Sequence, residues 1–208
     1  MVWPVLSFGQ GTVNFSAGAL PATRIYTNDY YGGPTGQIGG AGNYYFALFV
    51  APPSVGTNYS LQLDLDPTAH GFAFFGAYGT NTAFVGRMNG NPLPDFLSVP
   101  GFAPGSSANF VVVGWSANIA GADWNAFRAW YYNIYAYGVA GHSYVAENVQ
   151  LGGGLLPSGN IFGLAEGQVP GFTLTPLVIP EPSSSAIAIF GMTVLAMSRR
   201  CIVKRFLS

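Results

Sequence analysis

From Thr12 onward, short runs rich in aromatic and β-branched residues alternate with clusters of glycine, proline, asparagine and serine. No other feature constrains the fold as much, because such runs suit pleated strands and such clusters suit the turns between them. Strands are expected at 12–16 (TVNFS), 23–27 (TRIYT), 43–51 (NYYFALFVA), 59–65 (YSLQLDL), 71–78 (GFAFFGAY) and 82–88 (TAFVGRM). Three more are expected at 108–116 (ANFVVVGWS), 143–151 (SYVAENVQL) and 171–177 (GFTLTPL). In 59–65 the alternation is clean, with Leu61, Leu63 and Leu65 on one face and Ser60, Gln62 and Asp64 on the other. One stretch breaks the pattern: Trp124, Phe127, Trp130, Tyr131 and Ile134 fall at helical spacing behind Asp123, a good N-cap residue. A short helix over 124–135 follows. The expected fold class is mainly β, an antiparallel β-sandwich of jelly-roll-like type carrying one short helix.

Composition supports a packed body. Half the residues are hydrophobic, and 16 Phe, 12 Tyr and 4 Trp supply the burial that offsets chain entropy. Charge is scarce at 7%, against about 25% in an average soluble domain. It is also uneven: residues 1–180 hold three arginines (Arg24, Arg87, Arg128) against seven acids, and lysine is absent before Lys204. Such a body has no basic patch for a phosphate backbone, so nucleic-acid binding is set aside. Cys201 is the single cysteine, which excludes a disulfide within the chain and any cysteine-based metal cluster. A cysteine-free body suits an oxidising space outside the cytoplasm.

The two ends differ from the middle. Residues 1–9 lack Lys or Arg, and Pro4 interrupts their apolar run, so they read as the remnant of a signal peptide or a disordered start. The β domain is expected over 10–178, and 179–208 is a segment of another texture. There Pro180-Glu181-Pro182 is followed by three serines and by 186–198, which carries no charge. Arg199, Arg200, Lys204 and Arg205 close the chain. From Ser183 to Ser198 a helix would span roughly 24 Å at ~1.5 Å per residue. That is short for a hydrocarbon core of roughly 30 Å, but snorkelling arginines and local thinning can make up the difference. A C-terminal transmembrane helix is therefore expected, its basic flank in the cytoplasm and the body outside. The alternative is an amphipathic or buried C-terminal helix of the domain.

In this order and position the three parts resemble a PEP-CTERM sorting signal, found on exported proteins of Gram-negative bacteria that also carry exosortase. The resemblance implies that Pro180, Glu181 and Pro182, the apolar helix and the basic cluster are read together by that membrane-embedded protease/transpeptidase. It also implies a cut near the Pro-Glu-Pro. Three segments of the body, QGTVNF (10–15), GGGLLP (152–157) and PGFTLTPL (170–177), resemble PEP-CTERM cargo of verrucomicrobial-type bacteria. Such cargo usually starts maturity near a Gln-Gly-Thr, which places Gln10 near the mature N-terminus and the recorded start downstream of the true one.

Within the body, chemical motifs are incomplete. GHSYV (141–145) has Val145 where a nucleophile elbow needs glycine, so Ser143 reads as a strand-start serine beside His142. DLDPTAH (64–70) brings Asp64, Asp66 and His70 close, a fragment of a Ca²⁺ or Zn²⁺ site or, more simply, solvated residues ahead of a proline-initiated turn. Asp29 reads as a turn residue. Gly152-Gly153-Gly154 lacks the Lys-Ser/Thr of a phosphate loop and reads as a turn, and Asn14 and Asn58 match the glycosylation tripeptide by chance. The aromatic set Trp115, Trp124, Trp130, Tyr131, Tyr132, Tyr135 and Tyr137 has two readings: core packing, or a platform on which sugar rings stack.

These features point to a non-enzymatic surface or extracellular-matrix protein, exported with an inner-membrane intermediate, without cofactor or metal. Its expected partners are exosortase, the membrane through 186–198, and an extracellular polysaccharide. Two alternatives stand beside it: a carbohydrate-binding module using Trp115, Trp124 and Trp130, and a permanently anchored single-pass protein.

Overall fold

The structure, a computed structural model, describes residues 9–29, 31–56, 58–59, 64–92, 96–133 and 137–177. The compact body ends at Leu177. It is mainly β. The longest strands are β5 (Tyr44–Ala51), β6 (Ala73–Asn81) and β9 (Ser107–Ser116), which pair antiparallel in the order β6-β5-β9. In sequence, β5 and most of β9 are unbroken apolar runs, as strands buried on both faces must be.

The alternation of side chains sorts these runs into two cores. Phe46, Leu48 and Val50 of β5 join Ala108, Phe110 and Val112 of β9 on one face. Ala47, Phe49 and Ala51 join Val111, Val113 and Trp115 on the other. Phe46 pairs directly with Gly114. A β-carbon at that glycine would stand 2.7 Å from the Phe46 ring, so the glycine is what lets the ring lie flat on the neighbouring strand.

Shorter strands extend the sheet on both sides. β7 (Met88–Asn89) and β2 (Ser16–Ala17) lie beyond β6, whereas β10 (Val139–His142), β13 (Thr173–Pro176), β3 (Tyr26–Asn28) and β4 (Thr35–Gln37) lie beyond β9. β11 (Ala146–Gln150) also pairs with β9, giving a ten-stranded sheet. The sheet curls into an open half-barrel. Gly86, in the turn before β7, donates to Ile38 O (2.8 Å) and accepts from Ile25 N (3.0 Å), so a single residue bridges from one end of the strand order to the other. A separate three-stranded sheet of β12 (Gly159–Asn160), β1 (Gly11–Asn14) and β8 (Leu97–Val99) contributes Val13 and Val99 to the first core. The second core is covered by helix α1 (Trp124–Asn133), whose Trp124, Phe127 and Trp130 are buried.

Among the described residues the architecture is mainly β with one short α-helix. The sheet arrangement differs from a purely antiparallel sandwich, because β13 pairs parallel with β3 and β12 parallel with β1. The helix begins where expected: Asp123 Oδ1 accepts from Asn125 N (2.9 Å) and Ala126 N (3.1 Å). The strand expected at 82–88 is instead mostly the Gly86 turn, with Phe84 and Val85 exposed and only Met88 in a strand. Of the strand expected at 59–65, positions 60–63 lie outside the described residues, and Tyr59 and Leu65 are buried.

Candidate functional site

Residues singled out in the sequence converge on the second face of the sheet, where α1 lies over β5, β6 and β9. Trp115 and Phe127 stack with ring centroids 4.6 Å apart, and Trp124 stacks on Phe127 at 5.3 Å. Trp115 and Trp130 are fully buried and Trp124 is 4% exposed. The Trp115 indole N–H donates inward, to the carbonyls of Ala120 and Gly121. Of the two readings of Trp115, Trp124 and Trp130, core packing is the one found and the sugar platform is not: their faces are spent on one another and on the sheet, as large aromatics with a partner for the polar atom generally are. Tyr132 and Tyr137 keep exposed rings, and Tyr135 lies outside the described residues.

Beside these indoles the 64–70 segment meets the helix. Asp66, 1% exposed, begins a 3-10 turn (Pro67–His70) and accepts from Thr68 N (3.1 Å) and the Thr68 hydroxyl through Oδ1. Its Oδ2 accepts from Arg128 Nε (2.8 Å) and the Tyr132 hydroxyl (2.9 Å), both on α1. Burial works to raise the Asp66 pKa, but the hydrogen bonds from Thr68 and Tyr132 and the charge of Arg128 outweigh it and hold the carboxyl below its usual range. Asp66 in turn pushes the Tyr132 phenol up. Asp64 bridges to His70 Nε2 at 3.1 Å through Oδ2 and accepts from Asp66 N at 2.8 Å through Oδ1.

Tyr59 is the hub of this corner. Its hydroxyl donates to Asp64 O (2.6 Å), and its ring lies 5.2 Å from His70 and 4.8 Å from His142, the chain's two imidazoles. Burial first, then the Asp64 carboxylate, push the Tyr59 phenol far up. Nothing in the spacing of these residues announces that meeting, since Tyr59 and His142 come from opposite sides of β9 in sequence.

The arrangement fastens the helix. Both oxygens of Asp66 are committed to protein donors, and among the described residues no three His, Cys, Asp or Glu side chains gather as metal ligands would. Ser143 is fully buried; its hydroxyl donates to Tyr144 O (2.7 Å) and accepts from Val112 N (3.0 Å), stitching the break between β10 and β11 to β9. A hydroxyl so engaged is not presented to a substrate. Gly153 and Gly154 adopt positive φ in a turn closed by Leu156 N on Gly153 O (3.2 Å), and Asn14 Nδ2 is occupied by Asn160 Oδ1 (2.7 Å).

Concave surface lies elsewhere. One cleft of about 340 Å³ is lined by Asn148, Gln150, Asn160, Glu166 and Gln168 among others. Another, of about 400 Å³, opens between Asp29, Asn43, Asn118 and Tyr137. The sorting residues Pro180, Glu181, Pro182, Arg199, Arg200, Lys204 and Arg205 and the apolar 186–198 all lie outside the described residues. Among those described, no helix is long and apolar enough to cross a membrane.

No family model, no curated protein and no solved structure matches this chain.

Proposed function

We propose that the chain is an exported structural or adhesive protein of the cell envelope or extracellular matrix, delivered by a C-terminal PEP-CTERM signal and not a catalyst. The observation that carries this reading is the order of the tail: Pro180-Glu181-Pro182, uncharged 186–198, then Arg199, Arg200, Lys204 and Arg205 at the end of a chain otherwise poor in bases. The membrane inserts 186–198, the basic cluster holds the cytoplasmic side, and exosortase cuts near the Pro-Glu-Pro. The compact body ends at Leu177, just short of that point, so a cut there removes no strand of the body. The low charge of the curled β body suits it, on this reading, to a polysaccharide-rich layer.

The test is C-terminal peptide and intact mass spectrometry of the protein from its native host, in membrane and extracellular fractions. A body ending near Pro180–Glu181 outside the membrane is the expected result. An intact Ser208 confined to the membrane fraction overturns sorting and makes the chain a single-pass anchored protein.

A further inference from the structure

The cavity between the β3–β4 hairpin and the ends of β5 and β9 gathers a carboxylate, two amides, a hydroxyl and a tyrosine. Asp29 starts the hairpin loop, is 4% exposed and lines the cavity. Its Oδ1 accepts from Tyr31 N (3.1 Å), and a β-carbon at Gly33 would stand 1.9 Å from Oδ2, so only a glycine leaves that oxygen its place. Asn43 and Asn118 are exposed amides on the wall, the second fixed by donating to Tyr137 O (2.7 Å). Ser116 Oγ accepts from Val139 N (3.2 Å), a bond that leaves the hydroxyl proton to donate elsewhere. Tyr137, which lines the cavity, meets Tyr31 edge to face at 6.3 Å, and the two residues are 44% and 60% exposed. This is where the chain shows aromatic surface beside a cavity, which the buried tryptophans do not.

From this geometry we infer a binding site for a neutral saccharide, its hydroxyls held by Asp29, Asn43, Ser116 and Asn118 and one sugar face packed on Tyr137 with Tyr31 beside it. Three physical points select that class. About 400 Å³ is within the roughly 300–1,000 Å³ of small-ligand sites and holds one or two sugar rings. No Lys, Arg or His lines the cavity, which disfavours phosphate, sulfate and uronate. Amides, a hydroxyl and a carboxylate match a dense pattern of ligand hydroxyls that both donate and accept, and an exposed phenol supplies an apolar face with a polar tip. A cationic amine would also suit a carboxylate among tyrosines. Asn43 and Asn118 each donate one amide N–H already, to Gly39 O and Tyr137 O. The second N–H of each wants an acceptor, which a sugar hydroxyl supplies and an amine does not, so the saccharide is favoured. The inference is independent of how the chain is sorted.

The experiment is saturation-transfer NMR and calorimetry on the full chain in mild detergent, with neutral hexasaccharides of glucose, mannose and xylose and with tetramethylammonium as the cationic probe. Binding of at least one hexasaccharide is expected, weakened about tenfold by Tyr137→Ala and by Asp29→Asn. Tyr31→Ala should weaken it less, and because both tyrosines are exposed the two alanine variants should stay folded, which circular dichroism checks. No binding of any neutral hexasaccharide at millimolar concentration overturns the inference. So does binding that survives Tyr137→Ala and Asp29→Asn, or a preference for tetramethylammonium.

Discussion

The two faces of the β5–β9 sheet bury similar numbers of aromatic rings, with most of the aliphatic bulk on the first, and they do so by different means. On the first, the sheet curls over itself and over the small β12-β1-β8 sheet, packing Phe46, Leu48 and Phe110 with Val13 and Val99. On the second, a ten-residue helix is laid across the strands, and its edge is fixed by Asp66, Arg128 and Tyr132, with Asp64, His70 and Tyr59 behind them. Sheet closure spreads stability over many backbone ladders. A helix of this length is marginal alone, so its stability comes from the face it buries and the bonds at its edge. The first face is therefore expected to be the durable one, and the second the one that opens first and feels pH.

The strongest way to break the comparison is to hollow each core. Phe46→Ala and Trp130→Ala both remove fully buried rings, each worth about 3–5 kcal/mol. Phe46→Ala should lower the global unfolding free energy by that amount, read by urea titration of the full chain. Trp130→Ala should strip amide-exchange protection from α1 while β5 and β9 keep theirs, because the helix can leave without opening the sheet. Equal loss of protection in β5, β9 and α1 would show one cooperative unit and erase the distinction.

The latch under α1 offers a smaller and more selective test. The Asp66 carboxyl is held below its usual range, so its ionised form favours the folded state. That contribution is complete above the ordinary aspartate value of about 3.9 and drains away as pH falls through the lower folded value. Asp66→Asn should cost about 1–2 kcal/mol at neutral pH, discounted because Arg128 is 41% exposed, and should flatten the acid limb of stability. Unfolding midpoints from pH 2 to 7 for both proteins decide it. Parallel acid limbs would place the acid sensitivity of the body somewhere other than this latch.

Much of this scaffold was legible in sequence where burial imposes a period. Residues 43–51 and 108–116 announced β5 and β9, and Trp124, Phe127 and Trp130 at helical spacing behind Asp123 announced α1. Strands such as Gly159–Asn160 or Thr35–Gln37 are too short and too polar to carry a period, and they exist only because neighbours supply their ladders. Asp64, Asp66 and His70 could be grouped because they are close in sequence. The helix partners of Asp66, Arg128 and Tyr132, arrive from 62 and 66 residues away through the docking of α1. The two readings of Trp115, Trp124 and Trp130 stayed open in sequence for the same reason: an aromatic cluster looks alike whether a helix lies over it or water does, and the burial of these three rings favours core packing. Exposed tyrosines beside Asp29 carry no period at all.

The finest distinction between the faces rests on Asn148. It adopts φ of 53°, the single non-glycine residue with positive φ among those described, at the register shift between Ala146 and Val149 of β11. An extra residue in the strand lets Ala146 and Val149, three apart, both enter the first core, while Val145 enters the second. The bulge is braced by the fully buried Asn109, whose Oδ1 accepts from Asn148 N (2.8 Å) and whose amide donates to Pro53 O and Val55 O. Asparagine tolerates the left-handed region better than alanine, so Asn148→Ala should cost about 1 kcal/mol. Asn148→Gly should change stability by only a few tenths, since glycine enters that region without a Cβ penalty. Urea midpoints separate the two. Equal losses for alanine and glycine would mean that the Asn148 side chain, and not its backbone angle, holds the bulge that keeps Val149 in the first core.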